Sequence, residues 1–241
     1  MREYIYGKNT VLEAVSGKKR VYKIFLAKNL KDHAIAKKAM QTKIEVAFVN
    51  NHELDQLVGK VNHQGVVASV EGYRYYSIEE ICQSIPEGKQ PLLLMLDGLE
   101  DPHNLGAILR SADAIGVDGV IIAKNRSVSL NATVAKVSTG AIDHVKVAQV
   151  TNLTRTLEDL KEKGYWIVGC DNDQSQDYRQ VDYNMPVCIV IGSEGKGISR
   201  NVKQHCDFKV VLPMVGHVTS LNASVATAVI LYQVYNSRFP L

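Results

Sequence analysis

Two glycine-bearing segments in the last third of the chain hold the residues best suited to chemistry. Gly192-Ser193-Glu194-Gly195-Lys196-Gly197 follows an apolar run over residues 187–191. Ser220-Leu221-Asn222-Ala223-Ser224 follows a second apolar run, residues 208–212, and Pro213-Met214. Glycines let backbone come close to a ligand. A carboxylate among three glycines has few local packing roles, so Glu194 points to a bound group. Ser220 and Asn222 can orient a polar group or cap a helix. A third segment, His103-Asn104-Leu105-Gly106, opens a helix that carries Arg110. Arginine there can grip a phosphate or form a weak surface pair with Asp113. Together the three segments have the build of a cofactor site beside an anionic substrate.

Simpler motif readings fit poorly. The dinucleotide fingerprint G-x-G-x-x-G belongs at a first strand-to-helix turn, whereas this loop has its glycines in the reverse order and lies late in the chain. A phosphate loop needs Gly-Lys followed by Ser or Thr, and Lys196 is followed by Gly197. His103 and His217 lack a Ser or Cys partner with a supporting carboxylate, so neither makes a triad. Cys82, Cys170, Cys188 and Cys206 have no metal-knuckle spacing, which argues for reduced thiols and no metal site.

These segments need strands and helices to position them. Continuous apolar runs predict strands over residues 92–97, 119–123, 145–148, 165–169, 187–191 and 208–212. Amphipathic spacing predicts helices over 104–115, 132–139, 153–163 and 220–236. Regular alternation of the two predicts a parallel sheet wrapped by helices. Ligands in such sheets sit beyond the carboxyl ends of the strands. The loops after Asp97, Ile191 and Leu212 therefore share one crevice. Residues 104–115 should place Gly106, Arg110 and Asp113 on a face away from the apolar stripe.

The N-terminal part is a separate α/β unit. Strands are expected over 21–26, 44–49 and 65–70, with helices over 9–15, 31–40 and 51–58. Asn50 or Asn51 caps the last helix. Residues 76–90 read as a linker, which divides the chain into 1–75 and 91–241. His63-Gln64-Gly65 forms either a turn or a polar contact for RNA.

The 241 residues are 46% hydrophobic and 22% charged, an ordinary balance for a soluble protein. No apolar run is long enough for a membrane span, and the first ten residues lack a signal-peptide core, so a cytoplasmic protein is expected. The net charge of +3 is uneven. Residues 1–75 carry 13 Lys and Arg against 7 Asp and Glu, a balance of +6. A basic small domain on a mildly acidic large one suits an anionic partner such as RNA.

Three segments, taken together, resemble the signature motifs of the SpoU branch of the SPOUT RNA methyltransferases. They are Leu96 to Ala112, Ile191 to Gly197, and Leu212-Pro213-Met214 with Ser220 to Ala226. The resemblance extends over residues 91–241. Residues 1–75, with Tyr6-Gly7-Lys8-Asn9 and His63-Gln64-Gly65-Val66, are similar to the L30e-like RNA substrate-binding domain of some members. That pairing is most similar to the bacterial 23S rRNA guanosine 2′-O-methyltransferases.

The resemblance implies a deep trefoil knot in the C-terminal domain and bound S-adenosylmethionine, contacted at Gly192, Leu212 and Leu221. It assigns functional roles to Asn104, Arg110, Glu194, Ser220 and Asn222. It also implies a homodimer acting on 23S rRNA or an assembling large ribosomal subunit. Arg110 stays protonated in proteins and suits a phosphate or a developing alkoxide better than the role of base. Glu194 is expected to fix the glycine loop or hold Arg110. Transfer RNA 2′-O-methylation, an adenosine-directed resistance-type methylation and a non-catalytic ribosome-assembly role are the alternatives.

Overall fold

The computed structural model describes residues 2–16, 20–30, 34–171 and 175–240. It divides into two compact units, residues 1–74 and 75–241.

In the N-terminal unit the elements run β1 (Arg2–Tyr6), α1 (Lys8–Ser16), β2 (Val21–Ala27), α2 (Ala34–Gln41), β3 (Glu45–Val49), α3 (Asn51–Val58) and β4 (Val66–Glu71). The sheet order is β1-β4-β2-β3. β4 runs antiparallel to both β1 and β2, and β2 is parallel to β3. β1 was not expected. Its alternating exposed and half-buried residues mark an edge strand with little apolar signal. Residues 31–33 of the expected basic helix lie outside the described residues. Asn50 caps α3 by accepting from Glu53 N at 2.9 Å.

His63-Gln64-Gly65 is a turn. His63 Nδ1 accepts from Gly65 N at 3.0 Å, which leaves Nε2 to face Asp55 at 3.4 Å. Gln64 Oε1 accepts from Lys8 N, at 3.1 Å, and so satisfies a donor at the start of α1. Gly65 sits at φ +75°, and a side chain there would crowd Ala27 and Leu30.

The C-terminal unit begins with α4 (Ile78–Gln83) and continues with β5 (Leu92–Asp97), α5 (Pro102–Ile115), β6 (Gly119–Ala123), α6 (Ala132–Ser138), β7 (Val147–Val150) and α7 (Leu153–Glu162). It then passes through β8 (Trp166–Cys170), β9 (Gln176–Asp177), β10 (Val187–Gly192), α8 (Arg200–Lys203), β11 (Phe208–Val211) and α9 (Ala223–Arg238). The seven strands form one sheet in the order β7-β6-β5-β10-β8-β11-β9. Every pairing in it is parallel, as the alternation predicts.

β5 and β10 are apolar because both faces of the sheet are covered. Leu93 and Met95 pack with Leu153, Leu157 and Ile167 in one core. By alternation Leu94 and Leu96 face the opposite layer, where α5 packs on α6 and α9.

Residues 76–90 are part of this unit rather than a free linker. Ser77 and Glu80 form a reciprocal cap on α4. Ile81 is fully buried in the core, and Tyr76 N donates to Val147 O at 2.9 Å. The short amphipathic stretch hides this role, because its apolar contacts come from strands far along the chain.

Arg238 ties the end of α9 back to the sheet. Its guanidinium donates to the carbonyls of Tyr183, Gln90, Pro91 and Met185 at 2.7–3.0 Å. Burial lowers its pKa, and these carbonyls offset the desolvation.

Candidate active site

The site lies beyond the carboxyl ends of β5, β10 and β11. β5 and β10 are paired so that Gly192 sits beside Asp97. Asp97 Oδ2 accepts from Ser199 N at 2.7 Å, fixing the return of the glycine loop. The loop closes on itself through Ser193 N to Gly197 O at 3.1 Å and Gly197 N to Ser193 O at 2.9 Å. A Cβ at Gly192 would lie 2.0 Å from the carbonyl carbon of Gly197, so only glycine fits. Gly197 itself has φ +63°.

Glu194 ties three segments together. Its Oε1 accepts from Asn104 Nδ2 at 2.7 Å, from Asn222 Nδ2 at 2.5 Å and, at 3.4 Å, from Ala223 N. Asn104 comes from the first turn of α5, where Asp101 is the cap and Pro102 the first residue. Asn222 caps α9 by accepting from Ser224 N at 3.0 Å. α9 thus starts at Ala223, and Ser220 lies in the preceding loop rather than in the helix. A polar cluster with reciprocal bonds holds its geometry better than separate residues would.

Glu194 and Ser220 line a cavity of about 360 Å³, and so do Gly192, Leu212 and Leu221. That volume falls in the usual range for small-molecule sites. Two further lining residues, Asp171 and Lys203, escaped the reading of the sequence. They pair at 2.8 Å, and the Asp171 side chain is only 8% exposed. Asp171 directly follows β8, and that position past a strand end is the signal that could have found it. Cys170 borders the same cavity, and burial pushes its thiol up to about 11. Among the described residues no cluster of three or more His, Cys, Asp or Glu could hold a metal ion.

Arg110 stands apart from this cluster. It is exposed and does not line the cavity. Six residues beyond Asn104 on α5, it lies about 9 Å further along the axis and points roughly 120° away. Glu194 holds the two asparagines and not Arg110. The expected open face of α5 holds at Arg110 and Asp113, which are exposed, and fails at Gly106. That glycine is buried against α6, and a Cβ would approach Val137 Cβ to 2.6 Å. The glycine there permits close helix packing instead of ligand approach.

The second and third motif loops wall the cavity, and Asn104 of the first motif is tied to them through Glu194 and Asn222; the comparisons with known proteins name the class of such a scaffold. The profile of the SpoU rRNA Methylase family matches residues 91–232. A second profile, RNA 2′-O ribose methyltransferase substrate binding, matches residues 4–76. The chain belongs to the SpoU family.

Bacillus subtilis YacO, named for the TrmH family of tRNA/rRNA methyltransferases, is 49% identical over 99% of this chain and 97% of its own. The SpoU methyltransferase AviRb of Streptomyces viridochromogenes, solved with AdoMet, superposes with a TM-score of 0.65 at 25% identity. That match covers 98% of this chain and 90% of AviRb. The TrmH/SpoU tRNA modifying enzyme of A. aeolicus gives 0.58 at 30% identity, over 66% of this chain and 81% of its own.

Proposed function

We propose that this protein transfers a methyl group from S-adenosylmethionine to the 2′-hydroxyl of a ribose in RNA, with a guanosine of 23S rRNA as the target. The observation that carries the reading is the bridge from Glu194 to Asn104 and Asn222 at a cavity walled by Gly192, Leu212 and Leu221. The cavity suits the cofactor in size and lining, with the glycine loop, held closed by the tight approach of Gly192 to Gly197, forming one wall. Gly192, Leu212 and Leu221 would hold it there. When bound it supplies an electrophilic methyl on a sulfonium.

The protein's own task is alignment and charge. Holding the 2′-oxygen in line with the methyl can remove several kcal/mol of barrier. Asn104, Asn222 and Ser220 orient the ribose, with Glu194 locking both asparagines. Arg110 grips the adjacent phosphate or stabilises the developing alkoxide. The proton leaves through that phosphate or through water.

Arg110 lies outside the cluster within one chain, so a second copy supplies it and the working unit is a homodimer. α9 supports this reading. Tyr232, Tyr235 and Phe239 are 52%, 41% and 63% exposed, while Ile230, Leu231 and Val234 on its other side are buried. A helix apolar all round calls for a partner on the open side.

The N-terminal domain favours ribosomal over transfer RNA, because the A. aeolicus tRNA enzyme matches only 66% of this chain. The test is methyl transfer from labelled S-adenosylmethionine to 23S rRNA, assembling large subunits and transfer RNA, with the modified ribose mapped. Label confined to transfer RNA replaces the target, and label on no RNA removes the enzymatic reading.

A further inference from the structure

We propose that the open face of the N-terminal sheet is a stacking platform for an unpaired RNA nucleotide, with Tyr4 and Tyr22 receiving bases and Arg2 and Arg20 the phosphates. The inference rests on the RNA-binding reading above and says which surface does the binding.

The sheet has two unlike faces. On one, Ile5, Ile24, Ala68 and Val70 pack under α1 and α2. On the other, α3 covers one end through Leu54, Ala27 and Val67. Past α3 no other helix of this unit packs on that face among the described residues, and Tyr4 and Tyr6 are 42% and 43% exposed. Register places Tyr4 beside Ser69, Ser69 beside Lys23, and Lys23 beside Glu45 in one row across the four strands. The next row is Tyr6, Val67, Phe25 and Ala47. Along β1 the exposed residues are Arg2, Tyr4 and Tyr6, all on this face. An irregularity in β2 between Val21 and Lys23 adds Tyr22 as an extra residue, and such bulges re-aim side chains.

Cations and rings are interleaved there. The Arg2 and Arg20 guanidinium carbons lie 4.8 Å and 5.2 Å from the centre of the Tyr22 ring. Lys23 Nζ is 5.6 Å from the Phe25 ring, and Phe25 is 6.2 Å from Tyr4. Glu45 and Glu71 are the acidic residues of the face. Glu45 pairs with Lys23 at 2.5 Å, and Glu71 sits opposite Arg2 in register. Between Tyr4 and Lys23 the hydroxyl of Ser69 is buried with no hydrogen-bond partner.

This chemistry selects its ligand. A nucleobase gains from rings and guanidinium planes alike, and its phosphate gains from arginine. An apolar protein partner would bury the charged rim without compensation. Bases inside a duplex keep their faces hidden, so the nucleotide must be unpaired.

The test uses full-length protein and fluorescence anisotropy with a short single-stranded RNA and a blunt duplex of the same sequence. Tyr4→Ala with Tyr22→Ala should weaken single-strand binding roughly tenfold or more, and Tyr4→Phe should not. Arg2→Gln with Arg20→Gln should flatten the salt dependence. Thermal midpoint and S-adenosylmethionine affinity should hold. Should the alanine variant not fold, 4-thiouridine RNA crosslinked to the wild type should attach to the peptides of β1 and β2.

Crosslinks confined to other peptides, wild-type preference for the duplex, or unchanged binding by the variants would overturn the platform alone. Wild-type protein that binds neither RNA would bring down the RNA reading as well.

Discussion

Asn222 donates through one side-chain nitrogen to both Asn104 Oδ1, at 2.9 Å, and Glu194 Oε1, at 2.5 Å. The residues are 118 and 28 positions apart along the chain. The amide uses both of its hydrogens on them, and its oxygen caps α9 through Ser224. Position and charge at the cavity are therefore set by one connected group.

Removing the charge from that group should loosen the loop and its cavity together. Glu194→Gln keeps an oxygen acceptor but takes the charge from bonds that serve two side chains, and hydrogen bonds to charged groups contribute about 1.5–3 kcal/mol each against about 0.5–1.5 kcal/mol for neutral ones. The expected result is S-adenosylmethionine binding about tenfold weaker or more, read by calorimetric titration. Unchanged affinity would show that Glu194 does not shape the cofactor wall.

Arg110→Ala should abolish methyl transfer and leave cofactor affinity as it is, because Arg110 does not border the cavity. Arg110→Lys should keep partial activity. Mixing Arg110→Ala with Glu194→Gln protein should restore activity through mixed dimers, and no restoration would count against a shared site.

Gly192→Ala should eliminate cofactor binding, since its Cβ would lie 2.0 Å from main chain with nowhere to go. Overpacking of this sort costs roughly 1–3 kcal/mol. At about 2–4 °C per kcal/mol for chains of this size, a calorimetric scan should resolve the drop.

A fragment spanning residues 75–241 should fold, whereas 91–241 should be much less stable. The shorter piece lacks Ile81, which is fully buried beneath α7 and the sheet. Losing a buried isoleucine typically costs about 2–5 kcal/mol. Equal melting temperatures for the two would return residues 76–90 to the status of a tether.

Burial pushes the Cys170 and Cys206 thiols from 9.0 up to about 11. The folded state thus keeps protons that the unfolded chain gives up. That contribution to stability is complete below the unfolded value and is lost as pH rises towards about 11. At about pH 8 both thiols should react slowly with iodoacetamide until denaturant is added. Fast labelling of the native protein would contradict the desolvation.

The C-terminal strands were legible because β5 and β10 are apolar without interruption, and the sites past their ends follow from the parallel arrangement. Asn104, Glu194 and Asn222 stand out in the motifs, and the structure joins them in one hydrogen-bonded cluster whose meeting no spacing along the chain announces. Arg110 sits on the exposed side of α5, as its spacing predicts, but off the cavity of its own chain. Spacing along a helix says which residues share a face and not what lies opposite that face. β1 stayed hidden because an edge strand alternating charge with tyrosine has no apolar run. The Asp171–Lys203 pair joins residues 32 apart whose meeting depends on how α8 returns to the sheet.

From Gly192 to Gly197 three of the six residues that wall the cavity are glycines, which offer it nothing but main chain. Recognition written in amides and carbonyls has few letters that substitution can change. Such a wall can stay the same while the RNA-facing surface around it diversifies, so one cofactor pocket can serve many targets.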